Sequence, residues 1–276
     1  MVDEVVGFLG GAGPSVVVDG TAGGGGHLGA FMLAFPEACI LAVDADPSAP
    51  GLALGGGRVV TRAGAFTGIP GILRSLGWGP AGAAFFDLGL SSLQLDDPSR
   101  GFSHRPALSG PLDMRFDQAG GAPTAAGLLG SLDEKGLADL VFELGEERRS
   151  RAIAREVRAS MPVMTTTELA AAVRRACRGG NPVKPLSRVF QALRIAVNDE
   201  LGRLGALLAG LDSWIAPGGR VAFLTFHSLE DRMVKRFLLG GGAFAASAPP
   251  WLKPSDAECR ANPRARSARL RMGIRS

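Results

Sequence analysis

Three apolar runs in the first third of the chain each end on an aspartate: VVVD at Val16–Asp19, CILAVDAD at Cys39–Asp46 and AAFFD at Ala83–Asp87. Apolar runs without polar alternation describe strands covered on both faces, the pattern of a parallel sheet. An acid closing each run lines three carboxylates along one rim, the carboxyl ends of the strands, where open α/β sheets bind their ligands. The first run breaks at once into four consecutive glycines, Gly23–Gly26, before His27 and a helix predicted over Gly26–Ala34. Glycine admits positive φ and lets backbone N–H groups approach a ligand with no Cβ in the way. A strand, an acid and a glycine turn in that order cradle nucleotide-type cofactors. A flexible turn in a chain with 40 glycines is the plain alternative.

The alternation continues downstream. Arg58–Thr61 reads as a third short strand with Phe66 in the loop after it, and Gly219–Phe226 as a further strand behind the turn Pro217-Gly218-Gly219. Apolar residues at three-to-four spacing (Val189, Leu193, Val197, Leu201, Leu204, Leu208, Leu211) predict one helix over Ser187–Trp214. Between Phe102 and Pro185 the strand signal vanishes. Leu128–Phe142, Glu146–Ser160 and Thr165–Cys177 read as helices there, the last with a Thr/Glu capping pattern. The expected architecture is an α/β domain, residues 1–101 and 187–276, interrupted by a helical insert, residues 102–186, that serves substrate recognition.

Arginines crowd that insert: Arg148, Arg149, Arg151, Arg155 and Arg158 on one helix, then Arg174, Arg175 and Arg178. The final stretch, Arg260–Ser276, carries Arg264, Arg266, Arg269, Arg271 and Arg275 with almost no acid. A solvated helix face and a disordered tail are the plain readings; contacts to RNA phosphates are the functional ones, with the tail as a basic arm. Formal charge is +4 and the pI about 9.4, so the basic excess matters by its location more than its size. Hydrophobic content of 46% against 20% charged is enough for a sizeable core. No apolar run approaches the ~20 residues a membrane span needs, and MVDEVVGFLGG resembles neither a signal nor a transit peptide, so a soluble protein without a membrane partner is expected. Cys39, Cys177 and Cys259 are isolated, with no zinc-type spacing, which fits a reducing compartment and no metal.

Gly24, Gly26 and Gly29 satisfy GxGxxG, yet within a run of four glycines that match says little for a nicotinamide cofactor. The spacing Asp19-x3-Gly23-x-Gly25 fits S-adenosylmethionine enzymes better. A carboxylate beside the glycine turn suits a ligand that carries an ammonium and a sulfonium, and sits awkwardly against a pyrophosphate. Asp44 stands ~20 residues past the turn, where an acid accepts hydrogen bonds from ribose hydroxyls, or else caps a helix before Pro47. Asp87 lies where a methyl acceptor would meet its donor.

From Asp87 onward long motifs follow in order: Asp87-Leu-Gly-Leu-Ser-Ser, Gln94-Leu-Asp-Asp-Pro, Arg100-Gly-Phe-Ser, Gly110-Pro-Leu-Asp-Met-Arg115, Arg188-Val-Phe-Gln-Ala-Leu-Arg-Ile-Ala-Val-Asn-Asp-Glu-Leu, Phe226-His-Ser-Leu-Glu-Asp-Arg-Met-Val-Lys-Arg and Asn262-Pro-Arg-Ala-Arg-Ser-Ala-Arg-Leu-Arg. Together they resemble the small-subunit ribosomal RNA methyltransferase H family (RsmH, also called MraW) over nearly the whole chain. The resemblance implies a class I, Rossmann-like methyltransferase fold with an inserted helical domain. It implies transfer of a methyl group from S-adenosylmethionine to the exocyclic N4 of a cytidine in the decoding region of small-subunit rRNA. It places cofactor contacts on Gly25, Gly26, His27, Asp44, Phe66, Asp87 and Gln94, beside Asp19 and Gly23 from the spacing above. MVDEVV and Phe237-Leu-Leu look slightly more like mitochondrial members, which leaves a mitochondrial matrix or a bacterial cytoplasm as the expected location.

The chain also departs from that family's pattern. A His-x-Pro-Val stretch usual before MVDEVV is missing, Ala22 replaces an aromatic residue, and Ser103–Ser109 lacks an acid before Gly110. Leu144 and Lys184 stand where Tyr and His are usual. These departures bear on substrate affinity and turnover more than on the cofactor fold. They also motivate a rival reading, a ribosome-assembly factor that keeps the fold without turnover; an NAD-dependent oxidoreductase rests on GxGxxG alone. For methyl transfer, Asp87 is expected either to accept a hydrogen bond from the cytosine amino group or only to touch the cofactor's methionine end. Ser91 or Ser92 would shape the pocket, and His227 would hold the target base or support the rim. His27 is expected to pack at the glycine turn, and Asp113 and Arg115 to brace the insert against the site, with direct RNA contact as the lesser reading. A monomer and a homodimer are both compatible with the sequence.

Overall fold

The computed structural model describes residues 1–178 and 180–276. Two compact units divide the chain, Met1–Gly89 with Leu201–Ser276, and Leu90–Glu200. The first opens with α1 (Val2–Leu9) and alternates through β1 (Val16–Asp19), α2 (Gly26–Ala34), β2 (Cys39–Asp44), β3 (Val59–Ala63), α3 (Ile69–Ser75) and β4 (Ala81–Asp87). The second carries α4 (Ser92–Asp96), α5 (Ala125–Ser131), α6 (Glu134–Gly145), α7 (Ser150–Ala159), α8 (Thr166–Ala176) and α9 (Val183–Asn198). Through α10 (Glu200–Gly210) the chain returns to β5 (Ile215–Thr225), α11 (Ser228–Leu239), β6 (Phe244–Ala246), α12 (Asp256–Ala261) and β7 (Arg269–Arg275).

Among the described residues the first unit holds a seven-stranded sheet in the order β3-β2-β1-β4-β5-β7-β6. The first five strands run parallel, and β7 lies antiparallel between β5 and β6. This is a Rossmann-like α/β sheet whose winding reverses beside β1 and β4, the place where such sheets bind ligands. Side chains of a strand alternate between faces. Val16, Val18, Leu41, Val43, Ala84, Phe86, Val221 and Phe223 therefore build one core. Val17, Ile40, Ala42, Ala83, Phe85, Ala222 and Leu224 build the other, with Leu28 and Phe31 of α2 and Val5 and Leu9 of α1. Full burial of each large apolar side chain contributes about 1.5–3 kcal/mol. The same period of two carries Asp19, Asp44 and Asp87 onto the α2 side of the sheet. One parity thus brings all three acids to one face of the rim.

The second unit has its own core. Leu112, Met114, Leu129, Val141, Ile153, Val157, Leu169 and Val173 join Leu186, Val189, Phe190, Leu193 and Val197 of α9. Leu90 and Leu95 pack against it as well, so this unit extends beyond the 102–186 stretch in which the strand signal is absent. Where one helix was expected over Leu128–Phe142, α5 and α6 form: the Asp133 side chain accepts from Gly136 N at 2.7 Å and starts a new helix. The helix expected over Ser187–Trp214 is likewise two, parted at Asp199, whose φ of 48° is left-handed. The apolar spacing runs unbroken through that residue although its two halves serve different cores. The Thr165–Glu168 capping box at the start of α8 forms as expected.

The basic arm expected at Arg260–Ser276 is instead largely structural. Arg269–Arg275 is β7, an interior strand, and Leu270 and Met272 alternate into the core.

Candidate active site

The glycine turn after β1 is held from three sides. Gly20 N donates to Phe85 O of β4, Ala22 N to Val43 O of β2, and Gly51 N to Gly23 O. A Cβ at Gly20 would lie 2.3 Å from the Phe86 ring, so only glycine fits there. Gly25 has φ +84° and meets Leu54, which makes it a strained site for any other residue. At Gly24 and Gly26 a Cβ would meet nothing within 4 Å. The loop is therefore packed on its sheet side and open over these two glycines.

Asp44 ties this turn down. Its Oδ2 accepts from Gly23 N at 2.7 Å and its Oδ1 from Asp46 N at 2.8 Å. No helix starts at Pro47 among the described residues, so Asp44 does not act as a helix cap. Asp19 is completely buried; Thr21 N donates to its Oδ1 at 3.1 Å, while Oδ2 has no hydrogen-bond partner among the described residues. Burial pushes the Asp19 carboxyl up to about 7, and the charges of Asp87 and Asp44 add to the effect.

Asp87 closes β4 opposite Leu224 of β5. Its N–H donates to Thr21 Oγ1 at 2.6 Å. Thr21 therefore links the first and fourth strand ends, with its backbone on Asp19 and its hydroxyl on Asp87. Spacing along the chain gives no sign of its role, because no local signal marks a bond formed across 66 residues. The Asp87 side chain is 35% exposed, yet Oδ1 is enclosed and has no partner among the described residues. Burial, then the negative charge of Glu230, pushes this carboxyl up to about 7. His27 packs its ring 4.3 Å from Phe85, with Nδ1 3.8 Å from Asp87 Oδ2. Burial pulls His27 down to about 4, so at neutral pH it is an uncharged filler of the turn. Phe66, after β3, packs edge-on against Phe86 at 5.9 Å.

Asp19, Gly23, Gly25, Gly26, His27, Asp44 and Asp87 thus converge on one end of the sheet. The buried Asp19 and the half-buried Asp87 there each have an enclosed, unsatisfied carboxyl oxygen, and both have raised pKa values. A site of that kind is destabilised when ionised and empty of countercharge, and it favours a cationic ligand. An ammonium and a sulfonium supply that charge; a pyrophosphate does not.

His227 lies elsewhere on the rim, at the N-cap of α11. Its Nδ1 faces Glu230 N at 3.4 Å and its Nε2 stands 3.0 Å from Glu230 Oε1, a carboxylate only 2% exposed. Glu230 also accepts from Phe226 N at 3.1 Å. The histidine is thereby fixed in the corner that turns β5 into α11. In the second unit Ser91 and Gln94 satisfy each other in a capping box at α4, with Ser92 its first residue. Asp113 takes Arg115 as a two-pronged partner at 2.8 and 2.9 Å, and Asn198 of α9 holds Met114 O and Phe116 N on either side of Arg115. Asp113 and Arg115 brace the second unit internally.

The arginine run resolves into two groups. Arg155 faces Glu134 at 3.9 Å, Arg158 donates to Leu129 O, and Arg175 pairs with Glu156 at 3.2 Å. Arg148, Arg149, Arg151, Arg174 and Arg178 are exposed and form no ion pair among the described residues.

A family model described as the MraW methylase family matches residues 1–275. A "Ribosomal RNA small subunit methyltransferase H" of Methylobacterium sp. (strain 4-46) is 44% identical, covering 100% of this chain and 90% of its own. The protein of that name from Methylocella silvestris is 42% identical over 99% and 86%. A solved rRNA methylase from Streptococcus thermophilus aligns with 99% of this chain and 93% of its own, at 13% identity and a TM-score of 0.41. The two relatives named are bacterial, and they lend no support to a mitochondrial location.

Proposed function

The chain belongs to the MraW methylase family, and from that premise we propose that it methylates the N4 of a cytidine in small-subunit ribosomal RNA in a bacterial cytoplasm. S-adenosylmethionine, when bound, supplies an electrophilic methyl group on a sulfonium. The observation that carries its placement is the pair of enclosed, unsatisfied carboxyl oxygens of Asp19 and Asp87 beside the open glycines. Asp19, Gly23, Gly25, Gly26 and His27 would hold the cofactor's charged end, and Asp44 and Phe66 its nucleoside. Gln94 is assigned to the cofactor and Ser91 and Ser92 to the target base by the family resemblance.

The lone pair of the cytosine amino group is delocalised into its ring, so that group is a weak nucleophile. Asp87, as the carboxylate, accepts a hydrogen bond from it and then its proton. The alignment of the reacting atoms contributes more than this: orientation is worth about 7–11 kcal/mol, against roughly 2.7–5.5 from a positioned base. His227, locked on Glu230, supports the rim and stays out of proton transfer. The exposed arginines of the second unit take RNA phosphates, and a target cytidine is unstacked to reach the site.

Labelled S-adenosylmethionine and immature small subunits test the function directly: label on one cytidine is expected, and no label on any RNA would favour an assembly factor. Salt adds a second check. Neutralising Arg148, Arg149 and Arg151 together is expected to flatten the slope of log affinity against log salt by about 2, at ~0.7 for each single-strand phosphate that is no longer paired. An unchanged slope would remove that face from the RNA interface.

Acidity gives a third prediction. Both rim carboxyls bind protons in the fold that they release in the unfolded chain, so their contribution to stability is full below the ordinary carboxylate range and lost as pH rises through about 7. His27 opposes them, favouring the fold above its ordinary value and losing that contribution towards about 4. A cationic ligand needs the two aspartates charged. Cofactor affinity is therefore expected to rise as pH passes through about 7, with a larger ligand-induced shift in melting temperature about one pH unit above that value than about one below it. Asp19→Asn should flatten that dependence, and a pH-independent shift in the unmutated protein would contradict it.

A further inference from the structure

Trp251 is half-buried and has two cations near its ring, outside the site described above. The Arg269 guanidinium lies 5.2 Å from its ring centroid and the Lys253 ammonium 5.4 Å. Arg269 is fixed from behind, since Asp231 Oδ2 accepts from it at 2.8 Å. Lys253 is exposed and has no carboxylate partner among the described residues. One cation thus positions the ring and the other is free to leave it.

The sheet register locates this aromatic group. Leu252 exchanges backbone hydrogen bonds with Leu270 at the start of β7, Leu270 stands opposite Leu224 at the end of β5, and Leu224 stands opposite Asp87. Three strand spacings separate Leu252 from Asp87 along one rim, about 14 Å. Arg266 is exposed on the same approach to β7. Cations around an indole face, at the ligand-binding edge of the sheet, match how proteins take up unpaired nucleotides: the ring stacks a base and the cations meet its phosphates.

We propose that Trp251, with Arg269 and Lys253, is a stacking platform for an unpaired nucleotide flanking the methylated cytidine. The proposal rests on rRNA being the substrate. On arrival of the base, Lys253 leaves the ring and engages the adjoining phosphate. Because the indole face accepts any base, the platform contributes affinity and register rather than sequence choice.

A single-stranded RNA oligonucleotide spanning the labelled cytidine is titrated into the full chain carrying Trp78→Phe, so that fluorescence reports Trp251 and the buried Trp214. Quenching on binding is expected. Trp251→Ala should weaken the oligonucleotide roughly 5- to 100-fold, Trp251→Phe should retain most of the affinity, and cofactor affinity should stay unchanged in both. Absence of quenching, or equal affinity in the alanine variant, would overturn the platform. If Trp251→Ala melts early, the quenching and the phenylalanine variant still decide. Methylation of immature subunits by the unmutated protein keeps the two levels apart: label on RNA with indifference to Trp251 sinks the platform alone, and no label sinks the substrate itself.

Discussion

Asp87→Asn is expected to slow a single turnover by about 10²- to 10⁴-fold at saturating cofactor. The exchange keeps shape and leaves the backbone bond from residue 87 to Thr21 intact. Asparagine can still accept a hydrogen bond from an amino group, but it cannot take the proton. The reduced rate therefore isolates proton acceptance from positioning. The unmutated rate should rise with pH through about 7, where burial and Glu230 have placed the carboxyl, and the variant should lose that limb. A near-normal single-turnover rate with weakened cofactor binding would reduce Asp87 to a cofactor ligand.

The second large effect is on stability. Asp231 is buried and receives both prongs of Arg271, at 2.7 and 3.0 Å, with Arg269 at 2.8 Å. Burial alone would raise this carboxyl, yet the two arginines outweigh it and hold it below the usual carboxylate range. Arg271 is only 5% exposed. Asp231→Ala would strand that guanidinium in the core, at a cost of about 3–5 kcal/mol, a drop in melting temperature on the order of 10 °C. Replacing both partners by apolar residues, Asp231→Leu with Arg271→Met, should recover most of the stability, because a buried pair is roughly balanced against an apolar pair of similar volume. Equal destabilisation by the single and the double variant would show that packing at this corner, and not the stranded charge, sets the cost.

The two outcomes separate what was legible in the chain from what was not. The strand ends were legible because a buried parallel strand is a local, continuous apolar signal, and Asp19, Asp44 and Asp87 sit at its endings. Their common face follows from a period of two. The support behind them was not legible. Thr21 reaches Asp87 across the sheet, and Asp231 draws on arginines at 269 and 271, so each bond exists only after the strands align. The C-terminal strand was misread for a more instructive reason. Arg269-Leu-Arg-Met-Gly-Ile-Arg275 alternates as an interior strand should, but the density of arginine outweighed the alternation. Ser91-x-x-Gln94 also carries a readable capping pattern, hidden behind its chemical interest. At Asp199 the apolar spacing continued while the backbone turned, and periodicity has no means of showing that.

The position of β7 has a consequence for how the molecule comes into being. Between β5 and β6, residues 269–275 complete the sheet and deliver the arginines that neutralise Asp231. During synthesis β1 to β4 emerge early, but their neighbours arrive only after residues 90–200 have been made. A unit assembled from such distant pieces closes slowly. Until the last strand docks, the nascent chain carries an open sheet edge and an unneutralised acid, a state that chaperones bind and proteases cut. Nonsense and frameshift changes near residue 269 should therefore act by lowering protein abundance, while the cofactor-binding residues remain untouched in the sequence.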